Sequence, residues 1–474
     1  MSNAHLFRRP GFLTLTLCSG EAPEHVPSHL DVLSGAARPA SSLDNGVLDR
    51  TLRKWGGGGR VSRVYHARAN FGVMGEQHVG FDDFEEQLGM SRSYKVELSS
   101  PEHTDDVLAA LRSLAVVESA AEQQLFLAPM GATLAPARQA PPRDLWAAHN
   151  RIRSREALAL EPGDERVTTA VVDTGVTLGH PELQRKCLAG YDTVDLGLGG
   201  VSEGLTLSGD SRGHDFNPRD EVGHGTHVAG IIGAQGWRVP PGVAGLSLVL
   251  PLRVLAAALS TGSKRAIGVG AIADINAGMK VCVDLGADVI NMSFGTPETS
   301  LDPDAPTPHT RTVQYATHYG CILVAAAGNS GQRERFFPAA HPEVIAVGSA
   351  SLDTGRRSPF STWGAHVALC APGERVPGVA RRGYQSNSGT SFAAPFVAGA
   401  AALLVARARR RGRQLRGADV RRLLVTSASA LPGGPNEETG AGMLDVLGAL
   451  HRLDAELSHS RADARASSPD ITEE

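Results

Sequence analysis

Residues 387–406 read NSGTSFAAPFVAGAAALLVA, a polar, glycine-bearing turn that opens straight into a long apolar run. Ser391 stands at the junction. A helix start leaves backbone N–H groups unpaired and carries the positive end of the peptide dipoles, so a hydroxyl there faces a spot already arranged for negative charge. Pro395 suits a first turn, which has no intrahelical donor to lose. Gly389, Ala393, Ala394 and Gly399 let neighbouring backbone come close. No charge occurs from Phe392 to Ala406, so the helix is expected in the core, and that uncharged run falls short of a membrane span. A serine here is equally what an ordinary N-cap asks for. Its chemistry depends on whether a base, an orienting acid and an oxyanion donor occur elsewhere.

Working outward, strands and helices take turns. Residues 167–173 (VTTAVVD), 248–255, 289–292 and 322–326 read as buried strands, with shorter ones at 344–347 and 367–369. Helices are expected at 145–160, 224–234, 266–285, 313–319, 392–410 and 417–427. That alternation predicts an α/β fold, a parallel sheet with helices on both faces, over residues 146–452. Before it, strands at 61–67, 94–98 (YKVEL) and 116–124 with helices at 81–90 and 104–115 suggest a small α+β unit over 60–126, Thr104 capping its second helix. Residues 127–145, rich in Pro and Ala, read as an exposed linker. Residues 1–59 and 453–474 read as a poorly ordered leader and a disordered tail.

Composition limits the partners. With 42% hydrophobic and 20% charged residues, the composition is that of a soluble globular protein, and a net charge of −4 argues against a nucleic-acid or anionic-membrane partner. The run RARRRGR at 407–413 reads as a solvated helix end, favourable to its dipole. Five cysteines without C-x-x-C spacing imply neither a disulfide framework nor a zinc site. The opening segment MSNAHLFRRPGFLTLTLCSG places two arginines before an apolar patch, but threonines interrupt that patch and it is too short for a signal h-region. A cytoplasmic location is therefore expected, with secretion as the alternative.

In an open parallel sheet, functional groups collect at the carboxyl ends of strands and at the helix starts beyond them. Asp173 ends the strand VVDTG, His224 opens a helix in GHGTHVAG, and Asn329 ends the strand ILVAAAGN. With Ser391 they supply every role acyl transfer requires. Histidine takes the serine's proton, a buried carboxylate orients the imidazole, and a carboxamide stabilises the oxyanion. His227, one turn further along, reads as a packing residue, and Asn291 and Ser293 as groups that satisfy backbone.

Together AVVDTGV, GHGTHVAG, VINMSFG, VAAAGNSG and GTSFAAPFVAG, in the order acid, base, nucleophile, resemble the subtilisin-type serine proteases, the subtilases, over roughly residues 165–450. The resemblance implies an endopeptidase acting through an acyl-enzyme, with Asp173, His224 and Ser391 as the triad and Asn329 in the oxyanion hole. It implies one substrate edge at Ser293, Phe294 and Gly295, a facing edge at Ala326, Ala327 and Gly328, and a cis peptide before Pro338. It also implies protein or peptide substrates, and makes residues 60–126 a prodomain-like inhibitor joined by a cleavable linker. The chemistry requires no cofactor. Structural calcium finds no clear motif, and Asp210, Asp215 and Asp220 read as solvated loop acids.

Three rivals bear on the same residues. Asp-Thr-Gly occurs at both Asp173 and Asp353, as in aspartic proteases, but those are all-β, and Asp353 sits in an arginine-flanked turn. GVGAIADINAG at 268–278 is glycine-spaced yet lacks the lysine of a phosphate-binding loop. A subtilase scaffold kept only for binding would not need all four catalytic positions filled, as they are here.

Overall fold

A computed structural model describes residues 7–20, 23–70, 80–128, 145–197, 200–202, 204–212 and 217–466. Its centre is a seven-stranded sheet in the order Val367–Pro372, Val344–Ala350, Ile322–Ala326, Val289–Met292, Thr168–Asp173, Leu248–Arg253, Tyr191–Asp192. Every neighbouring pair is parallel. Side chains alternate across it as the strand period demands. Val171, Val249 and Val324 enter one core with the helices His224–Gly233 and Thr390–Arg410. Ala170, Val172, Leu250, Leu252 and Leu323 enter the other with Ile272–Asp284 and Thr310–His318. The expected α/β sheet with helices on both faces is therefore present.

The helix Thr390–Arg410 has 21 residues and is long and apolar enough, by length and composition, to cross a membrane. That exceeds the uncharged run read from the sequence. Here it lies buried in the core, with Phe392, Val397, Leu403 and Ala406 fully covered.

The amino-terminal region departs from expectation. Residues 8–56 are not a disordered leader. The strand Arg8–Leu17 is central in an antiparallel sheet, flanked by Ser93–Leu98 and Val117–Ala128, and the helices His29–Leu33 and Val47–Gly56 follow. Leu13, Leu15 and Leu17 bury themselves in that unit's core, so the folded unit starts near residue 8. Its strands Gly59–Arg63 and Ser93–Leu98 and its helices Asp83–Gln87 and Thr104–Arg112 match expectation within a few residues. Thr104 opens its helix and does not cap it; His103 holds the cap position.

Residues expected as one helix at 266–285 divide into the strand Ala266–Ala271 and the helix Ile272–Asp284. The strand pairs with the far half of Val117–Ala128, and the amino-terminal sheet thereby continues through Ala256–Ser260 and Leu205–Ser208 to Gly200–Ser202. Most of the linker expected at 127–145 lies outside the described residues. At the other end, Val446–Ala466 is helical, so residues 453–466 are not a disordered tail. Leu453 is fully buried, and Arg407 and Arg422 hold Asp454 and Glu456.

Candidate active site

Asp173 ends its strand at the carboxyl rim of the sheet and is fully buried. Its Oδ1 accepts the N–H of Thr174 and lies 2.7 Å from Nδ1 of His224, itself fully buried. The GHG sequence has steric reasons. Gly223 holds φ at +96° just before the helix, and a Cβ on Gly225 would stand 2.2 Å from the Gly175 carbonyl and 3.1 Å from the Asp173 side chain.

Asp220, read from sequence as a solvated acid, is buried and structural. Its carboxylate accepts the N–H groups of Val222, Gly223 and Thr226 and the hydroxyls of Thr174 and Thr226. This fixes the loop that delivers His224. Burial pushes its pKa up, against the pull of those donors. Asp210 lies at the rim near Arg253, 4.0 Å away, and Asp215 falls outside the described residues.

Ser391 is the second residue of its helix and almost wholly buried. Its hydroxyl donates to the Ser293 carbonyl at 3.1 Å. His224 Nε2, the nitrogen opposite the Asp173 contact, is buried and has no hydrogen-bond partner among the described residues. The Phe392 ring covers both His224 and His227, with centroids 5.3 and 4.6 Å away. His227 is a packing residue. Asn387 meets its Nδ1, Gly378 is glycine because a Cβ would touch the ring at 2.3 Å, and burial lowers its pKa to about 3.

Asn329 follows the strand Ile322–Ala326, and its Oδ1 accepts both the amide and the hydroxyl of Thr390. Nδ2 donates to no described residue. Asn291 donates to the Ser293 hydroxyl, which donates to the Ser391 carbonyl. That chain ties the Val289–Met292 strand to the helix start. A carboxylate, an imidazole, a hydroxyl and a carboxamide thus meet at one rim of the sheet, an arrangement able to activate a hydroxyl and bind an oxyanion.

Residues 125–128 run beside one of the two expected edges. Gly295 exchanges two backbone hydrogen bonds with Leu127, at 3.1 and 3.2 Å. On its other side the segment 125–128 pairs with Gly268–Ala271. The second strand beside residues 125–128 is thus Gly268–Ala271; Ala326, Ala327 and Gly328 do not pair with that segment. Ala327 gives its N–H to Val347, Gly328 to Thr390, and Ala326 is a strand residue in the core. The signal that could have revealed residues 268–271 was the turn-forming TGSKR just before them. Phe294 is buried edge-on to Phe126 of the seated segment, centroids 6.5 Å apart. The peptide Phe337–Pro338 is cis, as the resemblance implies.

Residues 164–442 match the subtilase family. Among similar curated proteins, the chain is 37% identical over 243 residues to the Thermophilic serine proteinase of a Bacillus species, covering 51% of this chain and 52% of that protein. It is 34% identical to Thermitase of Thermoactinomyces vulgaris, over 51% of this chain and 75% of that protein. It is 31% identical to the Extracellular basic protease of Dichelobacter nodosus, over 60% and 51%. The chain spans about half the length of the first and third of these relatives.

Proposed function

The chain belongs to the subtilase family, and from that premise we propose that it is a serine endopeptidase hydrolysing proteins or peptides. The observation that carries this reading is the buried 2.7 Å contact between Asp173 and His224 beside a serine at a helix start. In this reading the Ser391 hydroxyl leaves the Ser293 carbonyl for His224 Nε2, whose ring packs against Phe392, the residue after the serine. His224 would then take the proton as Oγ attacks the substrate carbonyl, and Asp173 would stabilise the imidazolium. Asn329 Nδ2 and backbone N–H at the start of the helix would receive the oxyanion. His224 would return the proton to the leaving amine, and water would release the acyl group. No step requires a cofactor.

We further read residues 7–128 as an inhibitory, self-processed segment. Residues 125–128 lie between Gly295 and Gly268–Ala271 as an added strand, the way an extended peptide binds a sheet edge. Of the two locations open from the sequence, the extracellular one has support in a relative named as an extracellular protease.

A fluorophosphonate probe tests the nucleophile. Labelling of the processed protein that disappears in Ser391→Ala supports the enzyme. Absence of labelling together with no cleavage of denatured casein would favour a binding scaffold.

A further inference from the structure

Two clefts of about 640 and 540 Å³ adjoin the loop that delivers His224, and Thr177, Gly179, Arg381 and Arg382 line both. The larger extends to Arg219 and the smaller to Arg238, Trp237 and Tyr384. Four exposed guanidiniums therefore face one continuous opening in a chain whose net charge is negative. None of the four is ion-paired among the described residues. Some exposed arginines elsewhere are paired, as with Arg60 and Glu97 or Arg333 and Glu437, and others such as Arg53, Arg185 and Arg356 are not; what distinguishes these four is that they line adjoining clefts. The nearby carboxylates are spent. Asp220 serves the His224 loop, and Glu182 accepts the N–H groups of Gly236, Trp237 and Arg238 and the Tyr384 hydroxyl.

The opening is anchored to the catalytic loop. Arg381 donates to the Glu221 carbonyl at 2.6 Å, and Gln385 donates to the Gly223 carbonyl at 3.1 Å, one residue before His224. The ground held by residues 125–128, against Gly295 and Gly268–Ala271, supplies none of its lining. A polypeptide seated as that segment is seated would continue past the serine; His224 itself lines neither cleft, but Arg219 and Asp220, on the loop that leads into it, line the larger one. Guanidinium forks match carboxylates in geometry and charge. Trp237, 58% exposed, and Tyr384, 40% exposed, add aromatic faces beside them.

We infer that the opening between Arg219, Arg238 and Arg382 receives acidic residues on the leaving-group side of a polypeptide substrate. The inference rests on the endopeptidase reading, so the test separates the two. Binding is measured first on the full chain carrying Ser391→Ala, with Trp237 fluorescence as reporter, using the peptide Gly-Asp-Glu-Glu-Gly and its Asn/Gln counterpart. The acidic peptide should bind about tenfold tighter, with the advantage falling as salt rises, and Arg238→Gln/Arg382→Gln should erase that difference. Equal binding of the two peptides, or a preference untouched by the double substitution, overturns the inference and leaves the endopeptidase reading standing.

The second arm uses protein with Ser391 intact and substrates alike up to the scissile bond but acidic or amidated after it. A higher kcat/KM for the acidic series supports the inference, and equal values overturn it. Selective binding with no hydrolysis of either series overturns both the endopeptidase reading and the substrate role, leaving an acidic-peptide site alone.

Discussion

Asn329 Oδ1 accepts two hydrogen bonds from Thr390, one from its amide at 2.9 Å and one from its hydroxyl at 3.0 Å. The hydroxyl shares its one proton with the Gly328 carbonyl at 3.1 Å, so it is chiefly the amide bond that fixes the carboxamide with Nδ2 turned away from Thr390. Asn329→Ala should lower kcat by about 10²–10³ with little change in KM, a magnitude carried over from the same kind of donor in subtilisin rather than deduced from this geometry. Thr390→Val removes the hydroxyl but keeps the amide, and should lower kcat less. Steady-state kinetics on a peptide substrate checks both. A near-wild-type rate in Asn329→Ala would take the residue out of its role.

The seated segment should restrain the enzyme through its backbone. Leu127 donates to the Gly295 carbonyl and accepts from its N–H. Leu127→Pro deletes the first bond and disfavours the paired conformation, while the polar contacts of Lys95 with Asp195 and Asp274, far along the chain from residue 127, still hold the two units together. Uncleaved Leu127→Pro protein should hydrolyse a small peptide substrate faster than uncleaved wild type, at unchanged thermal stability of the Ser391→Ala background. Equal rates in the two uncleaved proteins would show that this strand does not hold the cleft shut.

The placement of Asp173, His224, Asn329 and Ser391 at strand ends and helix starts was legible because each stands beside glycines that permit tight turns. The seven-stranded sheet was legible because its strands are buried on both faces and read as continuous apolar runs. Ala266–Ala271 was not. It is apolar, runs into the helix Ile272–Asp284 without a proline or polar break, and owes its strand conformation to partners in Val117–Ala128 and Ala256–Ser260. In Arg8–Leu17 the signal was present but outweighed. The threonines that spoil a signal sequence alternate with Leu13, Leu15 and Leu17, a period of two that places the leucines in the core. Asp220 looked like a loop acid because its donors are mostly backbone N–H groups, which carry no side-chain pattern.

Acid should destabilise the fold through its buried histidines. Burial lowers the pKa of His149 and His366 to about 4 and that of His309 to about 3. For each, the unfolded chain takes up its proton near pH 6.5 while the folded protein resists until much lower. Stability is therefore complete above about pH 6.5 and is lost as pH falls towards 4. His149 makes the cleanest case, since its ring is held by the Ser154 hydroxyl and packed against Phe396, and burial alone moves its pKa. A shift from about 6.5 to about 4 corresponds to about 3 kcal/mol lost across that window. In His149→Gln the slope of unfolding free energy against pH, from urea titrations between pH 4.5 and 6, should fall by about one proton, roughly 1.4 kcal/mol per pH unit. The substitution also costs some stability at pH 7, where the Ser154 contact is disturbed, but that offset does not alter the slope. An unchanged slope would mean that His149 is protonated in the folded protein and that its burial is relieved in solution.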